Sequence, residues 1–384
     1  MRIAVNTRLL VKDKLEGIGF FAFETLKRIT QQHPEHHFYF IFDRPYDKSF
    51  LFSDNITPIV TYPQARHPYL WYLFFEFGVP YQLRKIKPDL FISPDGWIPL
   101  HIKIPIVNVI HDLNFEKNPE FIKPTPLRYY KRFFHRFAEK STQLATVSEY
   151  SKKDIHKIYH IPYEKIDIVY SGCKSHFQPA TPEGKLKTRQ EESNGNPYFL
   201  FVGLIHKRKN LDNIFRAFDK FKETDNTGTQ LVVVGQKKWW GGDIEDAYNA
   251  MQHKDDVIFK GRIDTDRLSR ITSGAEAILY PSLFEGFGVP ILEGFHAEIP
   301  VMTSNVTSMP EVGGDAAYYV NPLSVDEIAE GMHQLINNEN LRKELVERGK
   351  IQRQKFSWDL TAKLLWEMIN QEFIKVGLGT IVHI

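Results

Sequence analysis

Apolar residues in this chain come in short unbroken runs, and between the runs they recur every third or fourth position. In the first half the runs are "RIAVN" (2–6), "HFYFIFD" (37–43), "DLFISP" (89–94), "IPIVNVIHD" (104–112) and "QLATVS" (143–148). Each is short and bounded by polar or turn residues, which reads as a buried strand. Helical spacing fills 18–31, 126–140 and 149–158, and 69–83 is helix-like as far as Pro80. The alternation then restarts with "YFLFVG" (198–203), a helix over 209–222, "QLVVVG" (230–235), a helix over 243–252, "VIFKG" (257–261), a helix over 265–273 and "AILYPS" (277–282). Strands separated by helices imply parallel sheets with crossover helices.

The two halves are separated by "HFQPATPEGKLKTRQEESNGNP" (176–197), which is polar and poor in apolar residues. It reads as a linker. The expected organisation is a Rossmann-like domain over 1–175, a linker over 176–195 and a second Rossmann-like domain over 196–359. A last helix, 360–384, is expected to pack back on the first domain. The fold class is α/β, two doubly wound domains facing a cleft, with ligands at the carboxyl ends of the strands.

The length of 384 residues suits two domains better than one core. A net charge of +2 argues against nucleic acid as a partner, so anion binding must come from local clusters. One cysteine, Cys173, rules out a disulfide framework and suits a reducing compartment. The start, "MRIAVNTRLL", lacks the apolar stretch of a signal peptide, and no run approaches the ~20 apolar residues that span a bilayer. A cytoplasmic protein is expected, with peripheral attachment at the inner face of a membrane left open.

Charge pattern changes the picture most at "SLFEGFGVPILEGFHAEIPVMTS" (282–304). Seven residues separate Glu285 from Glu293, and Pro290 suits the first turn of a helix beginning near Val289. Glu285 then lies in the loop after a strand, and Glu293 lies about one turn into the helix. Gly286 and Gly288 let backbone N–H groups approach a ligand, and a helix N-terminus favours phosphate. Carboxylates repel phosphate, so their partners are sugar hydroxyls. Amides for an anion between carboxylates for hydroxyls describe a nucleoside-diphosphate sugar. The plain alternative is a capped helix with one surface glutamate. Arg208 and Lys209, in "VGLIHKRKNLDNIFRAF" (202–218), stand just before another helix and could neutralise a diphosphate.

These stretches resemble the large retaining glycosyltransferase family of GT-B fold numbered family 4, whose mark is Glu, seven residues, Glu. The likeness extends to "GIGFFAFETLKRI", "VNVIHDLNF" (107–115), "TVSEYSKKDI", "TSNVTSMPEVGGDAAYYVNP" and the late "FSW" (356–358), essentially the whole chain. It implies that Glu285 contacts the transferred sugar, Glu293 the ribose, and Arg208 and Lys209 the diphosphate. Gly17 and Gly19 would lie near the diphosphate and acceptor, and His111 beside the sugar. Phe287 with its flanking glycines and Gly203, the glycine ending a strand, join the donor site. The backbone around Arg262 and Ile263 would read the base. Many members carry Arg after that strand glycine, where this chain has Leu204, which shifts phosphate load to Arg208. The implied reaction transfers a hexose, mannose by the "HDL" and "RKN" pattern, from a GDP- or UDP-linked donor to a glycan or lipid-linked acceptor. The family has no agreed carboxylate nucleophile, and a front-face route fits. Two rivals stand beside this: a nucleotide-sugar epimerase or hydrolase of the same fold, and a non-catalytic nucleotide-sugar-binding partner.

Three features look like other chemistry. "GIGFFA" (17–22) imitates a dinucleotide fingerprint but does not directly follow its strand. "DTD" (264–266) imitates a metal motif but sits where Asp264 would cap a helix. No metal or other cofactor is therefore expected. Cys173 has no acid beside it in sequence to pair with, only His176 three places on, and reads as packing. Finally, "LRYYKRFFHRFAEK" (127–140) puts Arg128, Lys131, Arg132, His135 and Arg136 on one helical face beside an aromatic stripe. Either the helix lies on anionic lipid, or its aromatics pack on the sheet and its basic face is solvated. The second reading is the plainer one.

Overall fold

The computed structural model describes residues 1–237 and 240–376. The chain divides into two compact units, Met1–Ser171 with Ser357–Ile384, and Gly172–Phe356. The first holds a parallel sheet of seven strands: β1 (Arg2–Asn6), β2 (His37–Phe42), β3 (Ile56–Val60), β4 (Leu90–Ser93), β5 (Ile106–Val109), β6 (Gln143–Thr146) and β7 (Ile166–Ile168). Their order is β3-β2-β1-β4-β5-β6-β7. The second holds six: β8 (Tyr198–Val202), β9 (Gln230–Val234), β10 (Val257–Gly261), β11 (Ala277–Tyr280), β12 (Val301–Ser304) and β13 (Tyr318–Val320). Their order is β10-β9-β8-β11-β12-β13. Both are doubly wound. The strand order reverses between β1 and β4 in one unit and between β8 and β11 in the other, and such points open crevices at the strand ends.

The central strands are apolar because helices cover both their faces. All five residues of β8 are buried. The helix Leu211–Lys222 behind it buries Leu211, Ile214, Phe215, Phe218 and Phe221, the stripe that 3.6-residue spacing creates. Each such side chain contributes roughly 1.5–3 kcal/mol, and Phe215→Ala would cost about 3–5 kcal/mol.

Several elements differ from expectation. Within the stretch read as a linker, Pro182–Ser193 forms a helix, capped by Thr181 and held through Arg189 to the Gly274 carbonyl at 3.1 Å. Its amphipathic signal is weak because it buries only Thr188, Glu192 and Ser193. Pro80 does not end its helix. A π-helical turn, Phe74–Gly78, comes just before it, and the helix runs on through Pro80 to Ile86. In the helix Pro124–Lys140, Tyr129, Phe133, Phe134 and Phe137 face inward, while Arg128, Lys131, Arg132 and Arg136 are exposed. Phe133, Phe134 and Phe137 of the aromatic stripe within 127–140 therefore pack inward, and the basic face stays exposed. The last helix, Trp358–Val376, packs on Gly17–Gln32 through Trp366 stacked on His33 at 3.7 Å, and residues 377–384 lie outside the described residues.

Candidate active site

The second unit's site begins where β8 ends. The Gly203 N–H donates to the Val234 carbonyl at 3.0 Å, and the chain enters a single 3-10 turn, Lys207–Lys209. Asn210 closes that turn with φ 62°, so the helix starts at Leu211 and not at residue 209. The Asn210 amide is buried and donates to the carbonyls of Pro281 at 2.9 Å and Pro322 at 2.6 Å. The Leu283 N–H donates to the Arg208 carbonyl at 2.8 Å. These bonds fix the basic turn against the loop that follows β11.

That loop carries Glu285, which is buried. Its Oε2 accepts from Arg208 at 2.5 Å and its Oε1 from Lys209 Nζ at 2.6 Å. Lys209 also donates to the Tyr280 hydroxyl at 2.8 Å, and Arg208 to the Phe284 carbonyl at 2.8 Å. Burial pushes the Glu285 carboxyl up, but the charges of Arg208 and Lys209 outweigh it and hold it at about 2. Burial brings Lys209 down to about 8, against the pull of Glu285. All three groups are charged at neutral pH.

The Gly286-Phe287-Gly288 segment is buried and pinned by Ser308, whose Oγ donates to the carbonyls of Glu285 and Phe287 at 2.9 Å each. Gly288 has φ 110°, a conformation that favours glycine, and precedes the helix Val289–His296 with Pro290 in its first turn. One turn in, Glu293 is buried and makes no side-chain hydrogen bond among the described residues. Burial raises its carboxyl to about 7, against Lys174 and Lys209. Arg262 and Ile263 follow β10, which lies two places from β8 in the sheet.

In the first unit, His111 follows β5. Its Nε2 lies 2.8 Å from the Pro94 carbonyl. A carbonyl only accepts, so this bond assigns the proton to Nε2 and leaves Nδ1 as an acceptor. Phe21 packs edge-on against the ring at 4.8 Å. Burial lowers the His111 pKa, against the Pro94 bond and the charges of Asp112 and Asp95, so the ring is neutral. Gly17 opens the helix Gly17–Gln32 with no atom near its absent Cβ, whereas a Cβ at Gly19 would lie 3.0 Å from the Leu9 carbonyl oxygen. Asp264 caps its helix, accepting from the Arg267 N–H at 2.8 Å.

Comparison with known proteins now decides the family. Residues 183–352 match the model described as Glycosyl transferases group 1, and residues 16–175 match Glycosyltransferase Family 4. The chain belongs to the family 4 glycosyltransferases. The O-antigen chain mannosyltransferase B of Escherichia coli is 27% identical over 278 residues, 72% of this chain and 73% of the relative. The O-antigen chain mannosyltransferase RfbU of Salmonella typhimurium is 28% identical over 272 residues, 70% of this chain and 71% of the relative. Among solved structures, WaaG, a glycosyltransferase involved in lipopolysaccharide biosynthesis, superposes with a TM-score of 0.74 at 17% identity, over 95% of this chain and 99% of that one. Anabaena Alr3699/HepE in complex with UDP-glucose gives 0.74 at 15% identity, over 97% and 100%. These likenesses establish the GT-B fold, and the protein is an enzyme, a glycosyltransferase.

Sequence reasoning missed several residues of this family 4 glycosyltransferase. Tyr280, Asn210 and Ser308 hold the second unit's cluster, and Lys174 sits by Glu293. In the first unit, Arg8 and Asp95 form an ion pair of 2.8 Å at the ends of β1 and β4. Arg8 lies over the Trp97 ring at 4.2 Å. A charged residue directly after a buried strand, as Arg8 is after "RIAVN", was the available signal.

Proposed function

We propose that this glycosyltransferase moves a mannosyl residue from a GDP-linked donor to a hydroxyl of a growing or lipid-linked glycan, at the inner face of a membrane, with retention at the anomeric carbon. The observation that carries the reading is the Arg208–Lys209–Glu285 cluster at the β8/β11 reversal. Two fixed cations suit a departing diphosphate, and the carboxylate beside them suits sugar hydroxyls. The names of the mannosyltransferase relatives support the sugar.

In this reading, the bond from the anomeric carbon to the phosphate oxygen breaks and its electron pair stays with the diphosphate. Arg208 and Lys209 stabilise that charge as it develops. Lys209 spends two N–H groups on Glu285 and Tyr280, which leaves the third for phosphate. The acceptor hydroxyl oxygen attacks on the same face and gives its proton to the departing phosphate. Glu285 draws charge density to the oxocarbenium-like sugar through its hydroxyls, and Glu293 accepts from the ribose. His111, with its proton on Nε2, has at Nδ1 an acceptor that suits a hydroxyl.

Thermal-shift titration with GDP-, UDP- and dTDP-sugars, followed by anomeric analysis of the product by NMR, tests the proposal. GDP-mannose should stabilise the protein most and give a product of unchanged configuration, in the presence of EDTA as in its absence. Inversion, preference for another donor, or dependence on magnesium or manganese would each remove its part. Rapid isomerisation or hydrolysis of donor without acceptor would replace transfer by the epimerase or hydrolase reading.

A further inference from the structure

Among the described residues, every exposed large aromatic side chain falls between positions 62 and 81. They are Tyr62 (63% exposed), Tyr69 (77%), Tyr72 (39%), Phe77 (60%) and Tyr81 (50%). A chain with 14% aromatic residues that leaves no other large aromatic exposed among the described residues has a reason to leave these out.

The π-helical turn Phe74–Gly78 gathers them. An α-helix advances about 100° per residue, so in a regular helix Tyr81 would point about 120° away from Tyr69. A π turn inserts one residue's worth of slip and brings Tyr81 back to about 20°. Phe77 swings in the same sense towards Tyr72, their rings 6.2 Å apart. Residues five apart do not meet on an α-helix. Gly78 completes the surface: a Cβ there would lie 2.7 Å from the Tyr62 carbonyl oxygen, so glycine lets the loop bearing Tyr62 lie against the turn.

Basic residues border this patch. Tyr72 packs at 5.8 Å on Phe133, and Arg132 and Arg136 lie over the Phe133 ring at 5.8 and 5.9 Å. Lys85 lies over Tyr81 at 4.3 Å. Residues 62–87 contain four Lys or Arg and one acid, Glu76, whose carboxylate is buried and accepts from the Leu100 N–H. Residues 123–137 contain five Lys or Arg and no acid. A whole-chain charge of +2 makes this a local concentration.

We infer that this face, formed by the helical segment Pro68–Ile86 with the exposed side of Pro124–Lys140, docks on an anionic lipid bilayer. Tyrosines suit the headgroup layer, Phe77 reaches the acyl boundary, and the arginines and Lys85 meet lipid phosphates. No helix among the described residues is long and apolar enough to cross a membrane, and this surface provides attachment without crossing. The inference stands on surface chemistry alone and needs neither donor nor acceptor.

The test is flotation of the purified full chain with phosphatidylcholine vesicles, pure or carrying about a third phosphatidylglycerol. The chain should float with the anionic vesicles, sink with the neutral ones, and be released at about 0.5 M salt. Combined Tyr69→Ser, Tyr72→Ser, Phe77→Ser and Tyr81→Ser should weaken binding about tenfold or more. Arg132→Glu with Arg136→Glu should abolish the anionic preference. The single variant Phe77→Ser should show a smaller loss in the same direction, which keeps the test open should the fourfold variant misfold. Circular dichroism and unchanged nucleotide binding identify folded variants. Absence of vesicle binding by the wild type, or equal binding by folded variants, overturns the inference. So does lipid-free self-association that Phe77→Ser abolishes, which would make the face a contact between copies.

Discussion

The two units share one strand order over six strands and place a buried ion pair at the same topological position, yet the two clusters balance differently. At β1/β4, Asp95 is 4% exposed and saturated: Oδ1 accepts from Asn6 at 2.7 Å, Ser93 at 3.0 Å and the Trp97 N–H at 3.3 Å, and Oδ2 pairs with Arg8. One cation meets one carboxylate. At β8/β11, two cations meet one carboxylate, and a second carboxylate, Glu293, lies one turn into the following helix with no side-chain hydrogen bond among the described residues. The first arrangement is balanced in charge, though Arg8 Nε and Trp97 Nε1 are buried without a hydrogen bond among the described residues, and it fits a structural role or a neutral hydroxylated ligand. The second has cationic capacity beyond Glu285, which fits an anion. Equal topology therefore fixes where a site forms, while the charge count decides what it can hold.

Glu285→Gln is the strongest way to break this comparison. It keeps the size and one acceptor but removes the counter-charge that sugar hydroxyls would meet. Turnover should fall by about 10²–10³, roughly 2.7–4 kcal/mol of transition-state stabilisation. Free nucleoside diphosphate should bind as well as before or better, because a carboxylate no longer competes with phosphate for Arg208 and Lys209. Steady-state kinetics beside calorimetry measure both, and a parallel loss of nucleotide affinity would put Glu285 on the nucleotide. Arg8→Ala should have the opposite profile. It strands Asp95 without its cation and should cost about 3 kcal/mol of stability by denaturant titration. Nucleotide affinity should be unchanged. An Arg8→Ala protein of undiminished stability would mean that Asp95 does not depend on its cation.

Lys209→Ala sharpens the charge count by making the second cluster one cation to one carboxylate, like the first. A charge-assisted hydrogen bond is worth roughly 1.5–3 kcal/mol, so nucleoside diphosphate affinity should drop about tenfold or more. Calorimetric affinity equal to that of the wild type would show that the surplus cation is not used on the ligand.

The sequence displayed most central strands and covering helices well, because parallel strands buried on both faces leave dense apolar runs such as "YFLFVG". It hid the inner strand β12, only four residues long, and three of the four edges. β3 contains Pro58, β7 and β13 have only three residues, and an edge strand needs little apolar length. The Glu285–Glu293 spacing, Arg208 and Lys209 were legible as chemistry in the right order along the chain. What could not be read was their arrangement: that both cations grip Glu285, and that Asn210 leaves helical geometry to aim them. Those are contacts between residues more than 70 apart, and no local pattern encodes them. The π turn at Phe74–Gly78 was equally invisible, since its residues carry no propensity that distinguishes it from an α-helix.

The smallest effect concerns the unbonded carboxylate of the second cluster. Burial raises Glu293 to about 7, above the ordinary 4.5. Below the ordinary value the group is protonated in both folded and unfolded protein and has no effect on stability. Between about 4.5 and 7 the unfolded chain ionises while the folded one does not, so stability falls as pH rises through that window. Glu293→Gln should flatten that slope. Ligand binding turns the sign around. If the ionised carboxylate accepts ribose hydroxyls, nucleotide binding releases a proton near neutrality, and affinity should be about tenfold weaker at pH 6 than at pH 8. The Lys209 limb lies on the other side: with its ammonium brought down to about 8, affinity should decline again at higher pH. Calorimetry in two buffers of different ionisation heat reads the released proton directly. In Glu293→Gln the acid limb should vanish while the alkaline limb stays. An acid limb that persists in this variant would assign the proton to another group and leave Glu293 as a buried acid of the helix, with no part in binding.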